Sequence, residues 1–154
     1  MMTSIQFIGF MKEKFFISKL IQNSKKGILE ELLHPLVHAG VIKNKSLVLE
    51  TLIKRETLGS TGIGKGVAIP HCRTLAVSDI FIVVGISAKG IDYHAIDHKQ
   101  VHLFFLIIAP PMEKDNSYLP VLGKIVEIIR NSKVRRQLIK AKSYTSMVKA
   151  IKEG

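Results

Sequence analysis

A chain of 154 residues with 47% apolar and 23% charged side chains has the size and balance of one soluble globular domain with a real core. Its one cysteine, Cys72, excludes an internal disulfide scaffold and a multi-cysteine zinc site, and it fits a reducing, cytoplasmic compartment. Twenty-three Lys and Arg against twelve Asp and Glu leave a formal charge of +11, and nine of those cations lie between Lys124 and Gly154, against Glu127 and Glu153.

Mean hydropathy is +0.24, yet the longest apolar runs, Ile80–Ala88 and Leu103–Ala109, fall far short of the ~20 residues of a spanning helix. The opening MMTSIQFIGFMKEK has neither a basic leading region nor a small-residue cleavage site, so no signal peptide is expected. Glu13–Leu20 reads as a short strand or extended segment. From Ser24 to Gly40 the apolar positions Ile28, Leu29, Leu32, Leu33, Leu36 and Val37 follow a helical period, with Ser24 as cap, Gly40 as stop and Pro35 as a kink or break. A second helix is expected from Ser46 to about Glu56, burying Leu47, Leu49, Leu52 and Ile53.

The pattern then changes. Leu58–Gly66 (LGSTGIGKG) holds four glycines and suits neither a stable helix nor a simple strand. A short apolar segment, Val67–Pro70, ends at His71. Ile80–Ala88 and Val101–Ala109 are β-branched and aromatic and read as buried strands, the second stopped by Pro110 and Pro111. Leu119, Leu122, Ile125, Val126, Ile128 and Ile129 mark an amphipathic helix entered past Asn116 and Ser117. Val134–Ala141 and Tyr144–Lys152, the latter capped by Ser143, complete the helices. Helices around two central strands, with no repeat or linker, make one α/β domain over residues 1–154.

Chemistry concentrates in Arg55–His71. Gly59-x4-Gly64-Lys65 matches the opening of a phosphate-binding P-loop, but Gly66 stands where Ser or Thr would hold magnesium. Gly62-Ile63-Gly64 also fails as a dinucleotide fingerprint, because Val67 occupies the third glycine position. What is left is a glycine turn whose amides can approach an anion, with Ser60 and Thr61 adding hydroxyl donors. Pro70 stiffens the backbone before His71, whose imidazole can serve as a phosphoryl acceptor, and Arg55 offers a planar fork to a phosphate.

The order Arg-Glu-x3-Ser-Thr-Gly-Ile-Gly-x-Gly-x-Ala-x-Pro-His resembles the signature of the fructose/mannitol family of enzyme IIA domains of the bacterial phosphoenolpyruvate-dependent phosphotransferase system, nitrogen-regulatory IIA proteins included. Ile91–Pro110 and the helices after Leu119 resemble further family regions, so the likeness runs from about Phe16 to Ile151. It implies a mixed β-sheet with helices on both faces, phosphorylation of His71 by an HPr-type carrier, a phosphate contact from Arg55, and no cofactor. In such a transfer Ser60, Thr61 and the backbone of Gly62 and Gly64 are expected to bind the phosphate, and Asp97 or a backbone carbonyl to orient the His71 ring. Many members carry a second histidine where this chain has Tyr118, whose hydroxyl can still donate to a phosphate while staying neutral. The resemblance adds two further partners, a IIB domain as receiver, against which the missing second histidine counts, or a regulated target protein bound according to phosphorylation state.

Two rival readings stand beside it. A regulatory protein-binding module needs only the binding state of the site, not transfer. The basic C-terminal helices suit nucleic acid or an anionic membrane surface, although no aromatic or glycine-rich nucleic-acid signature interleaves the charges and solvated helix faces explain them as simply. His34 and His38 lie one helical turn apart, but no third ligand joins them, so no metal site is expected. His102 reads as a satisfied buried side chain and Cys72 as packing.

Overall fold

The most apolar run, Val101–Ala109, forms β6 and fills the middle of a six-stranded mixed sheet. The computed structural model describes residues 2–154. The other strands are β1 (Phe16–Ile17), β2 (Gly62–Gly64), β3 (Val67–Ala68), β4 (His71–Arg73) and β5 (Phe81–Ile91), and the helices are α1 (Ser4–Ile8), α2 (Lys25–His38), α3 (Lys45–Thr57), α4 (Tyr118–Arg130), α5 (Ser132–Ile139) and α6 (Tyr144–Glu153). Strand order is β1-β5-β6-β3-β2, with β4 also on β6. β5 and β6 are antiparallel, whereas β3 and β4 run parallel to β6.

Helices cover both faces, which is why β6 is apolar at successive positions rather than alternate ones. Leu103, Phe105, Ile107 and Ala109 join a core with α1, α4, α5 and α6, and Phe104, Leu106 and Ile108 join a second core with α2 and α3. Each such leucine, isoleucine or phenylalanine contributes about 1.5–3 kcal/mol by leaving water. Phe15 and Phe81 meet edge to face in the second core, with ring centroids 6.0 Å apart.

Local chemistry explains where the elements begin. Ser24 accepts from the Gly27 amide and Ser143 from the Ser146 amide, as their sequence positions predict. α2 runs through Pro35 without a break, because a proline removes one helical hydrogen bond while Leu32, Leu33 and Leu36 around it are fully buried. α3 begins a residue before Ser46, capped by Asn44, and buries Val48 rather than the expected Leu47, which is 53% exposed. The cap of α4 comes from neither Asn116 nor Ser117: the Glu113 carboxylate accepts the Tyr118 amide. The expected first strand shrinks to Phe16–Ile17 behind a 3-10 turn, and α1, unforeseen, is closed by a reciprocal Thr3–Gln6 capping box.

The glycine segment does contain a strand, the three-residue β2, which pairs irregularly with β3. It fits because Gly62 lies against the chain at Ala95: a β-carbon at 62 would stand 2.9 Å from Ala95 Cα. Among the described residues no helix is long and apolar enough to cross a membrane. Gly62→Ala is expected to lower stability by about 1–3 kcal/mol, since the obstacle is backbone and cannot swing aside. Urea denaturation checks this, and an unchanged midpoint would contradict the packing account.

Candidate functional site

His71 opens β4, which continues the line of β3 along β6, with His71 opposite Ile107. The Pro70 carbonyl accepts the Ile107 amide at 2.9 Å, so the residue before His71 is already fixed to the sheet. Alternation along β4 sends Cys72 into the α2/α3 core and puts His71 and Arg73 on the opposite face. His71 Nδ1 lies 2.7 Å from the Ile69 carbonyl oxygen. A carbonyl only accepts, so Nδ1 carries the proton of the neutral ring and Nε2 keeps its lone pair.

His71, Arg73 and Tyr118 share an open depression of about 570 Å³ with Thr51, Lys54, Arg55, Thr57 and Leu58 from the end of α3. Its charged lining is Lys54, Arg55 and Arg73 with no carboxylate among them. Two of these cations are held at fixed positions. Arg55 Nη1 donates to the Gly59 carbonyl at 2.9 Å, and Arg73 Nη1 donates to the Pro111 carbonyl at 2.7 Å. The Arg73 guanidinium carbon sits 4.3 Å over the Tyr118 ring, whose centroid is 6.3 Å from that of His71. Burial pushes the Tyr118 phenol up to about 12, Cys72 adds to the rise and Arg73 and Arg55 oppose it, so this side chain is a neutral hydrogen-bond donor.

The glycine turn lies elsewhere. Ser60, Thr61, Gly62 and Gly64 do not line the depression. Ser60 Oγ accepts the Gly62 amide at 3.0 Å. Thr61 is 3% exposed, and its hydroxyl is bonded to the Glu56 carboxylate and lies 3.2 Å from Tyr93 Oη. Gly64, at φ +97°, faces Asp97. Asp97 in turn accepts the Lys65 and Lys99 amides, which hold its carboxyl below the usual range, and the Ile69 carbonyl stands at the His71 ring where Asp97 was the alternative.

A buried carboxylate ties this turn to the depression. Glu56 accepts the Thr61 amide at 3.1 Å, the Thr61 hydroxyl and Tyr93 Oη at 3.1 Å, and pairs with Lys25 Nζ at 2.8 Å. Neither Glu56 nor Arg73 stood out from the sequence on chemical grounds. Arg73 could have been found from strand alternation, two residues past His71, and Glu56 from its place beside Arg55. Of the other histidines, His34 and His38 stack at 6.0 Å, and His102 Nδ1 donates to the Ser87 carbonyl at 2.9 Å.

Burial also pushes the Cys72 thiol up to about 12 from an ordinary 9.0. Native protein is therefore expected to leave Cys72 unalkylated by iodoacetamide at mildly alkaline pH while unfolded protein reacts, with mass spectrometry as the readout. A folded-state value above the unfolded one means this stabilising term is present below the ordinary thiol value and is lost as pH rises from about 9 towards 12. Glu56→Ala leaves the Thr61 amide without its acceptor and removes the charge partner of Lys25 and one hydrogen bond of Tyr93. It is expected to cost about 3–5 kcal/mol in thermal or urea unfolding, and a loss below about 1 kcal/mol would contradict the role given to Glu56.

Residues 9–154 match the sequence profile of the family described as "Phosphoenolpyruvate-dependent sugar phosphotransferase system, EIIA 2". The chain is 35% identical over 120 residues to the "PTS system fructose-specific EIIA component" of Haloferax volcanii, covering 78% of this chain and 77% of that one. Against the "Nitrogen regulatory protein homolog" of Haemophilus influenzae it is 35% identical over 125 residues, covering 79% and 75%. It spans 20% of the length of the "PTS system fructose-specific EIIABC component" of Bacillus subtilis, to which it is 32% identical. In three dimensions it is similar to the nitrogen regulatory protein IIA-Ntr of Neisseria meningitidis, with a TM-score of 0.84, 27% identity, and 93% and 97% of the two chains covered. On the match over residues 9–154 and the likeness in sequence and fold, the chain belongs to the type 2 EIIA family of the phosphoenolpyruvate-dependent phosphotransferase system, as a phosphoryl-transfer protein.

Proposed function

We propose that His71 Nε2 is the phosphoryl acceptor and that the whole of residues 1–154 works as one type 2 IIA domain. The observation that carries the assignment is the 2.7 Å contact between Nδ1 and the Ile69 carbonyl, which leaves Nε2 as the nitrogen with a free lone pair in a cationic depression. The donor is a phosphohistidine carrier of the HPr type, met in the cytoplasm. Nε2 forms the new N–P bond while the donor's N–P bond breaks and its electron pair returns to the donor ring. The His71 ring becomes positive as it is phosphorylated, and the Ile69 carbonyl faces the proton that stays on Nδ1.

Such a transfer is loose and metaphosphate-like, so it depends on positioning and charge more than on covalent help. Arg55 and Arg73 supply that charge with geometry set in advance by Gly59 and Pro111, and Tyr118 adds a neutral donor. Ser60, Thr61, Gly62 and Gly64 serve by holding the turn that fixes Gly59 and hence Arg55, rather than by touching the phosphate. A regulatory role, with phosphorylation state setting the choice of target protein, is supported by the similarity to nitrogen regulatory proteins. A IIB domain is the alternative receiver.

Incubation with phosphoenolpyruvate, enzyme I and an HPr-type carrier is expected to add one acid-labile phosphoryl group, read by intact mass. His71→Ala should abolish the gain, and a full gain in that variant would overturn the assignment. Arg55→Ala and Arg73→Ala are each expected to slow transfer on the order of 10²-fold with the fold retained.

A further inference from the structure

The phosphoryl site accounts for three cations of a chain whose net charge is +11, and a further group of six lies at the other end of the sheet. Lys65 forms the turn between β2 and β3, Lys89 and Lys99 lie on the β5–β6 hairpin, and Arg136, Lys140 and Lys142 come from α5 and the segment after it; all six are exposed. Contacts bring these pieces together. The Gly66 carbonyl accepts the His102 amide at 2.8 Å, and a β-carbon on Gly66 would stand 3.7 Å from Ile139 and His102 side-chain atoms. Gly90, next to Lys89, lies against the His102 ring at Cε1 and Nε2.

Among the described residues none of the six cations has an acidic partner within 4.0 Å. The nearby carboxylates are already occupied by backbone amides, Asp92 by that of His94 and Asp97 by those of Lys65 and Lys99. Six cations against the two carboxylates Asp92 and Asp97 leave this end with an excess of positive charge, which suits an anionic counterpart. The same end exposes Ile96 (67%) and Ile63 (36%), which are neighbours because the Ile96 amide donates to the Gly62 carbonyl at 2.9 Å. Base stacking has nothing to use: every described phenylalanine and tyrosine is buried or half-buried.

We propose that this end of the sheet docks on an anionic phospholipid surface, the six cations facing headgroups and Ile63 and Ile96 reaching the interface. Four residues of β6 separate the partner of β3 from the partner of His71 (Leu103 to Ile107), about 13 Å along the strand. Docked this way, the chain turns His71 away from the bilayer and leaves it open to a soluble carrier.

Vesicle sedimentation of the full chain tests this, comparing phosphatidylcholine alone with phosphatidylcholine plus phosphatidylglycerol. Binding is expected only with phosphatidylglycerol and is expected to fade as salt rises from about 0.05 to 0.5 M. Each cation near such a surface is worth about fivefold in partition, so Lys89→Glu, Lys99→Glu and Lys140→Glu together should lose on the order of 100-fold or more. Ile96→Ser should lose a smaller factor at unchanged charge. The triple variant should keep its thermal midpoint and its phosphorylation at His71, which separates this test from that of the phosphoryl site. No binding to phosphatidylglycerol vesicles, equal binding to neutral ones, or full binding by the triple variant would overturn the proposal. Binding to duplex RNA in place of vesicles, lost in the same triple variant, would overturn it in favour of a nucleic-acid surface.

Discussion

The arrangement around His71 depends on one buried carboxylate. Glu56 lies in the last turn of α3, and it gathers a lysine from α2, the phenol of Tyr93 from the segment after β5, and both the amide and hydroxyl of Thr61. A carboxylate in a low-dielectric site is costly alone and strong when every lone pair is met, so the group acts as a single unit. Because Glu56 holds Thr61, the turn from Leu58 to Ser60 has a fixed path, and Gly59 can present its carbonyl to the neighbouring Arg55. The arginine is thus held in place at the edge of the depression. Lys25 also lies 4.5 Å over the Tyr93 ring, which adds a second tie between the same elements.

β6 divides the molecule's tasks. Its parallel neighbour β4 lines the depression, where α3 and α4 add Arg55 and Tyr118, near the carboxyl end of β6 itself. The hairpin between β5 and β6 carries its lysines to the opposite end. Under the proposed function and docking, this division keeps the two contacts at separate ends of β6.

Much of this was legible in the residues. Val101–Ala109 announced a strand buried on both faces, Ser24 and Ser143 announced helix starts, and the Pro-His step after a glycine turn pointed to His71. What the sequence concealed is tertiary. Whether a glycine frees a backbone for a phosphate or for a neighbouring chain depends on what lies across from it, and Ala95 lies across from Gly62. A threonine beside a glycine turn offers a hydroxyl in either case; here Glu56, five residues earlier, had already taken it. Arg73 was hidden because strand alternation, not chemical rarity, places it with His71. Likewise Leu47 and Val48 are both apolar and adjacent, and only the packing of α3 on the sheet decides which is buried.

The central claim is that the Ile69 carbonyl fixes the His71 ring so that Nε2 receives the phosphoryl group. Long-range proton–nitrogen NMR on nitrogen-15 labelled protein addresses it directly, with His71→Ala identifying the signal. The account predicts that the neutral ring carries its proton on Nδ1 and that phosphorus couples to Nε2 after phosphorylation. A proton on Nε2, or a phosphoryl group on Nδ1, would contradict it.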